Sequence, residues 1–137
     1  MPAIVTVAQR GCSIAWFIRS AGDFEDEDLR QPFTAIVGLY PNLVHVFGRA
    51  AERVHDELDR ALRAANQFAL TLWSERYTAD EAVFDIFRVD FPAEPTADRW
   101  SSRVIILDER LPAEERGVLL EKLRDPDRSI REYLART

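Results

Sequence analysis

A stripe of apolar residues between positions 47 and 73 constrains the fold more than any other feature of this sequence. Its members follow alternating steps of four and three residues, the spacing of one face of an α-helix: Phe47, Ala51, Val54, Leu58, Ala61, Ala65, Phe68 and Leu72. Charged residues from Glu52 to Arg63 occupy the opposite face. We therefore predict one long central helix that buries Val54, Leu58 and Leu62 against a sheet.

The sequence leaves both ends of this helix open. Residues 43–48 follow Pro41 and Asn42, and they fit either the first turn of the helix or a returning strand. Residues 67–74 also fit either helix or strand. An unbroken helix from 43 to 75 would be about 50 Å long, which is longer than a compact domain of this size is wide. We therefore predict a break near Asn66.

Strand-like segments flank the central helix on both sides. They are rich in β-branched and aromatic residues, and they comprise Ala3–Ala8, Ile14–Arg19, Phe33–Tyr40, Ala82–Phe91 and Arg103–Leu107. The first two resemble a β-hairpin, and Ser20–Gln31 is predicted as a loop. Thr78 and Glu81 form a capping-box pattern, so the segment 79–87 has a helical alternative. Short connections between consecutive strands favour antiparallel pairing.

Helical patterns return at the carboxyl terminus. Pro112 suits the start of a helix that runs to about Arg124, and Asp125 with Pro126 begins a final helix. The predicted fold is therefore one α+β domain over residues 1–137. It has a mainly antiparallel curved sheet of five or six strands, packed against one long central helix, with two short C-terminal helices.

Composition narrows the class of protein. The 137 residues suffice for one domain with its own core, and the formal charge of −6 opposes binding to nucleic acid. The lone cysteine, Cys12, cannot form an intrachain disulfide and suits a reducing compartment. No signal peptide or membrane-spanning stretch is visible, so we expect a cytoplasmic protein without membrane contact.

Motifs for metals, cofactors and phosphates are weak. The acidic run 23–28 lacks the glycine and the terminal glutamate of a calcium loop. Glu52 and His55 have the spacing of a di-iron motif, but the second copy that such a site needs is missing. Glycines occur singly, which excludes the common phosphate-binding loops. The sequence therefore predicts no metal site and no cofactor.

Aromatic residues and strand arginines suggest a pocket between the sheet and the helix. A curved sheet that a helix closes incompletely forms a cavity, and a few polar groups would orient a ligand there. The candidate ligand-binding residues are Trp16, Arg19, Tyr40, Trp73, Phe87, Arg88 and Arg103.

Two functions are compatible with these features. The first is a non-catalytic protein-interaction or regulatory module, such as an adaptor, chaperone or immunity-type partner, which binds a protein or a second copy of itself through an exposed strand edge. The alternative is a small-molecule-binding or enzymatic cup that uses the aromatic-lined pocket.

Overall fold

A computed structural model of the protein describes residues 12–18, 25–89 and 103–136. Strands and helices alternate along these residues, and a second helix follows the last of them. In chain order the elements are β1 (Cys12–Phe17), α1 (Asp26–Leu39), β2 (Pro41–Phe47), α2 (Ala51–Ala64), β3 (Leu70–Ser74), α3 (Ala79–Phe84, continued by a π-helical turn, Asp85–Val89), β4 (Arg103–Leu107), α4 (Ala113–Arg124) and α5 (Pro126–Arg136). The predicted strand Ala3–Ala8 lies outside the described residues.

The four described strands form one parallel sheet in the order β3-β2-β1-β4. The prediction of an antiparallel sheet of five or six strands on one long helix is therefore wrong, and the fold is α/β. Parallel pairing requires a crossover between successive strands, and helices supply it here. The central strands β1 and β2 are buried along almost their whole length, as is typical of parallel strands covered on both faces.

Helix α1 takes the place of the predicted strand Phe33–Tyr40 and of the described part, 25–31, of the predicted loop Ser20–Gln31, whose residues 20–24 lie outside the described residues. Its start is fixed by a reciprocal capping box, in which the Glu25 amide donates to Asp28 Oδ2 at 2.9 Å and the Glu25 side chain accepts from the Asp28 amide. The Glu-x-x-Asp pattern lacks the usual Ser or Thr, so the start of this helix is not evident from the sequence.

The segment Ala82–Phe91 was also predicted as a strand, and its described part is helical instead. The Thr78 hydroxyl accepts from the Glu81 amide at 3.1 Å, and the Thr78 amide donates to Glu81 Oε1 at 3.0 Å. The helical alternative for this segment is therefore confirmed. Local capping chemistry outweighs the strand preference of the valine and phenylalanine residues here.

Other predictions hold. Val54, Leu58 and Leu62 are fully buried on α2, and the chain breaks at Asn66, which has a left-handed φ of 62°. The two segments that fit either helix or strand, 43–48 and 67–74, are largely strands: β2 covers 41–47 and β3 covers 70–74. β4 and the two C-terminal helices also lie where the sequence places them.

Helices cover both faces of the sheet. One face carries Ile14 and Trp16 of β1 under α1 and α2, which contribute Ile36 and Leu58 among others. The opposite face carries Phe17 and its neighbours under α3 and α4. The space between sheet and helices holds a packed core, since Trp16 and Phe17 are almost fully buried.

The turn from β2 into α2 depends on Gly48. Its φ of 144° lies in a region that other residues rarely adopt, and an added Cβ would lie 2.4 Å from Ile18 Cγ1. This glycine allows β2 to end directly beside the end of β1.

Candidate functional site

The strand β3 forms one edge of the sheet, and no described strand pairs with its outer side. The nine residues Asn66–Ser74 contain no charged side chain and no proline. Natural edge strands usually carry lysine, proline or a covering element that prevents pairing with another chain. Among the described residues, β3 has none of these, and no described strand occupies the outer backbone groups of this edge.

Large apolar side chains on and beside β3 are exposed. Phe68 is 90% exposed, Leu70 58% and Trp73 43%. Leu39 and Tyr40 are also exposed, and the Gln67 side-chain amide, which donates to the Val37 carbonyl at 2.9 Å, holds the two segments together. We call these five residues the β3 patch (Leu39, Tyr40, Phe68, Leu70 and Trp73). They are five of the eight large apolar residues that are exposed in the described part of the chain.

Two histidines attach β3 to its neighbours. His45 of β2 contacts Ser74 Oγ through Nε2 at 2.8 Å. His55 of α2 contacts Thr71 Oγ1 through Nε2 at 2.8 Å. The His55 ring also lies 4.6 Å from the Trp73 ring. These contacts hold the strand in place and present its outer edge in a defined geometry.

The contacts of His55 have the order of a catalytic relay. Its Nδ1 lies 2.9 Å from Asp56 Oδ1, so a carboxylate, an imidazole and the Thr71 hydroxyl follow one another. A hydrolytic site also needs donors for an oxyanion. The described contacts around Thr71 provide no such donors, and His55 Nε2 also lies 3.2 Å from the Thr71 carbonyl oxygen. We therefore interpret this set as an attachment of α2 to β3.

The predicted ligand-binding residues do not converge. Trp16 is buried beneath α1, and Trp73 lies at the β3 edge. Tyr40 follows the end of α1 with a left-handed φ of 50°. Arg19 lies outside the described residues.

Phe87, Arg88 and Arg103 lie on the other side of the molecule. The Arg103 guanidinium lies 4.5 Å from the centre of the Phe87 ring, and its partial burial lowers its pKa. The side chain of Arg88 is exposed and lies 3.7 Å from Asp127. Of the six predicted residues that the structure describes, it brings together one pair, Phe87 with Arg103.

A cleft of about 500 Å³ lies at the carboxyl ends of β1 and β4, beside the start of α1. The chain continues from β1 to one side of the sheet and reaches β4 on the other, so this is a topological switch point, where α/β folds commonly bind ligands. The buried Trp16 contributes to its apolar wall. Its charged residues are Glu27, Asp28, Asp108, Glu109 and Arg110.

Internal contacts occupy part of this polar lining. Arg110 Nη1 donates to Asp28 Oδ1 at 3.0 Å, and the Arg110 amide donates to Asp108 Oδ1 at 2.8 Å. The charged lining therefore has four carboxylates and one guanidinium, which disfavours a phosphate ligand. Among the described residues, no group of three or more His, Cys, Asp or Glu side chains is placed to hold a metal ion.

A smaller cleft of about 410 Å³ lies between Tyr77 and α4. The Tyr77 hydroxyl donates to Glu115 Oε1 at 3.4 Å, and its ring packs on Phe17 and Phe47. Burial, together with the charge of Glu115, raises the pKa of Tyr77. The hydroxyl therefore stays protonated and serves as a hydrogen-bond donor.

Comparison with known proteins identifies no relative: no protein-family model, curated protein or solved structure matches this chain. In the described residues, no helix is both long enough and apolar enough to cross a bilayer. The β3 patch is the candidate binding surface of the described residues. Trp73 and Tyr40 are among the predicted ligand-binding residues, whereas Phe68 and Leu70 are not; the one signal for them in the sequence is the run without charge over 66–74.

Proposed function

We propose that the protein is a non-catalytic protein-interaction module, and that its binding element is the outer edge of β3. One observation carries the proposal: an uncharged edge strand whose apolar side chains are exposed. When a partner adds a strand to a sheet edge, hydrogen bonds to the edge backbone give affinity and contacts with alternate side chains give specificity.

The exposed patch supports a binding role over a purely structural one. Single exposed apolar residues are ordinary, but several of them grouped around one unpaired edge strand, with Leu70 on one face and Trp73 on the other, mark an interaction site or an aggregation hazard. A segment with the composition of residues 66–74 would favour unwanted sheet growth if it stayed uncovered. A partner that covers β3 in the cell removes that hazard.

We also place the protein in the cytoplasm and expect no nucleic-acid partner. Cys12 is a buried free thiol, and burial raises its pKa, which suits a packed residue better than a reactive one. The net charge of −6 opposes a phosphate backbone.

Site-specific photo-crosslinking tests the interaction. A benzophenone side chain replaces the exposed Phe68 in the full chain, expressed in its own cells, and adducts are identified by mass spectrometry. We expect a discrete adduct that disappears when Leu70→Lys is added, because a charge on the edge opposes strand pairing. The matched control carries the crosslinker at Leu120, which is exposed on α4. Equal adducts at both positions, or none at Phe68, would contradict the proposal.

The cleft at the switch point supports a second candidate, the binding of a small molecule. Its volume lies in the range of ligand pockets, and its charged lining favours a neutral or cationic organic ligand. Thermal-shift screening with amines and with phosphates separates these classes. Stabilisation by an amine that is lost in Glu109→Gln would support this candidate, and no shift with any amine would remove it.

A further inference from the structure

We infer that the segment bound at the β3 edge is a β-strand of another protein with two unlike faces, one of apolar residues and one that carries lysine or arginine. This inference rests on the proposed function and adds the chemistry of the partner to it. Side chains of an added strand alternate between the two faces of the sheet, so each set meets a different surface of this chain. The two surfaces beside β3 differ in their chemistry.

The face of the sheet away from α2 is apolar at β3. The register of β3 with β2 places Leu70 and Leu72 on this face and Thr71 and Trp73 on the other. Leu70 is 58% exposed. An added strand brings its own side chains beside these leucines at the spacing of cross-strand pairs, where apolar partners remove exposed apolar surface. This face therefore favours apolar residues in the partner strand.

Helix α2 borders the other face of β3. His55 of this helix lies 2.8 Å from Thr71 Oγ1 through Nε2, and its ring lies 4.6 Å from the Trp73 ring. Residues three before and four after a helical position lie on the same side of the helix, so Glu52 and Asp59 flank His55 along the edge of β3. The space that an added strand would fill on this face is therefore bordered by carboxylates.

Negative charge exceeds positive charge on this side of α2. Arg63 Nη2 lies 2.7 Å from Asp59 Oδ2, and Asp56 Oδ1 lies 2.9 Å from His55 Nδ1. Glu52 is exposed, and in the described part of the chain no basic side chain forms an ion pair with it. This side therefore has three carboxylates against one guanidinium. It attracts basic residues of a partner strand and repels acidic ones.

The carboxylates lie within reach of alternate residues of an added strand. Glu52 and Asp59 are separated by about 10 Å along the helix axis. Alternate residues of a strand are about 7 Å apart, and the long side chains of lysine and arginine extend over the remaining distance. The exposed Trp73 ring on the same face also attracts a cation. Basic residues at alternate positions of the partner strand therefore fit this face.

Binding of short peptides to the purified full chain tests the inference. The probes are blocked, fluorescently labelled peptides in which valine alternates with lysine, with threonine or with glutamate, and fluorescence anisotropy measures binding at physiological salt. We expect the lysine peptide to bind about tenfold more tightly than the threonine peptide, and the glutamate peptide to bind most weakly. A lysine peptide with a central proline keeps the charge but cannot pair along its length, so it reports nonspecific attraction to the acidic chain.

Two substitutions assign the binding to the two faces. Glu52→Gln should weaken binding of the lysine peptide about two- to fivefold and leave the threonine peptide unchanged, because it removes one charge from the α2 side. Leu70→Lys should abolish binding of both peptides, because it places a charge on the apolar face. Glu121→Gln is the matched control, since the Glu121 side chain is 73% exposed on α4, and it should change neither affinity.

The outcomes separate this inference from the proposed function. Equal, Leu70-dependent binding of the lysine and threonine peptides overturns the basic face and leaves strand addition at β3 standing. Binding of the lysine peptide that Leu70→Lys does not reduce, or that the proline peptide equals, overturns the inference because charge alone then explains it. Absence of binding by every peptide also overturns it, whereas the proposed function itself fails only when the Phe68 crosslinker captures no partner in cells.

Discussion

The two edges of the sheet are built differently. Strand β4 is half-buried along its whole length, begins with Arg103 over the Phe87 ring, and is followed by Asp108. Strand β3 exposes 58% of Leu70 and 43% of Trp73 and has no charged residue within it or in the four residues before it. Both strands belong to one parallel sheet, so strand chemistry alone does not explain the difference.

The two edges differ in how well they are protected against pairing with a strand of another chain. Charge and partial cover limit pairing at β4, as in most natural sheets, whereas the described residues leave β3 without such protection. An edge without protection persists in a protein when a binding partner covers it. Substitutions at each edge, or in the helix that supports it, test this difference.

The largest loss of stability is expected from a substitution in α2, the helix that packs on β3. Leu58→Ala removes a fully buried side chain of α2 and should lower the free energy of unfolding by about 2–5 kcal/mol. Urea denaturation measures that loss, and amide exchange should accelerate in β3 more than in β4, because α2 packs on β3.

Leu119→Ala is the matched change on the other side. Leu119 is equally buried and packs with Phe17 and Leu107 in the opposite layer. Its loss should accelerate exchange in β4 more than in β3. If both variants loosen both edges equally, the edges are not supported by separate helices.

The next effect concerns the helices that brace the β4 side. Lys122 Nζ lies 2.8 Å from Asp80 Oδ1, and Arg136 donates to Oδ2 at 2.6 Å. The hydrogen bond and charge of Lys122, followed by Arg136, hold the pKa of Asp80 below its usual value. Asp80→Asn should therefore lower the free energy of unfolding by about 1–2 kcal/mol at pH 7.

The sign of the pH dependence follows from that lowered pKa. Stability from Asp80 is fully present above the unfolded pKa of about 3.9, and it is lost as the pH falls through the lower folded value. Urea denaturation should show that the difference in free energy of unfolding between Asp80→Asn and the native chain is smaller at pH 3 than at pH 7. A gap of constant size would show that the carboxylate charge contributes nothing.

A smaller effect is expected when the β4 edge is made to resemble β3. Arg103→Leu removes the guanidinium over Phe87, a contact worth about 0.5–2 kcal/mol. We expect a modest loss of stability by thermal denaturation and more self-association by light scattering. Arg88→Leu is the control, because that exposed side chain makes only a 3.7 Å ion contact. Equal behaviour of the two variants would contradict a protective role for Arg103.

The smallest effect is expected from Thr71→Val, which keeps the side-chain shape and removes the contact with His55 Nε2. The expected loss is about 0.5–1.5 kcal/mol by urea denaturation. Ser74→Ala removes the corresponding contact with His45 and should cost a similar amount. Loss of partner binding in Thr71→Val at full stability would point to a role beyond attachment.

The sequence predicted the helices from Pro112 onward, the burial of α2 and the break at Asn66, because periodicity and local capping determine them. It misassigned Phe33–Tyr40 because β-branched residues also occur in helices whose start is capped, as at Glu25. Strand direction was beyond local reasoning, since it depends on which segments cross over between strands. The β3 patch was partly visible as a run without charge, but its exposure depends on the strand order.

Amide exchange of β3 tests the central claim most directly. Successive amides of an edge strand point alternately toward β2 and outward, so an uncovered edge leaves alternate amides unprotected. We predict that the outward amides of residues 70–74 are protected in the native chain when its cellular partners are present and exchange rapidly in Leu70→Lys. Rapid exchange of these amides in the native chain at every concentration, and in the presence of its cellular partners, would contradict a binding role for this edge.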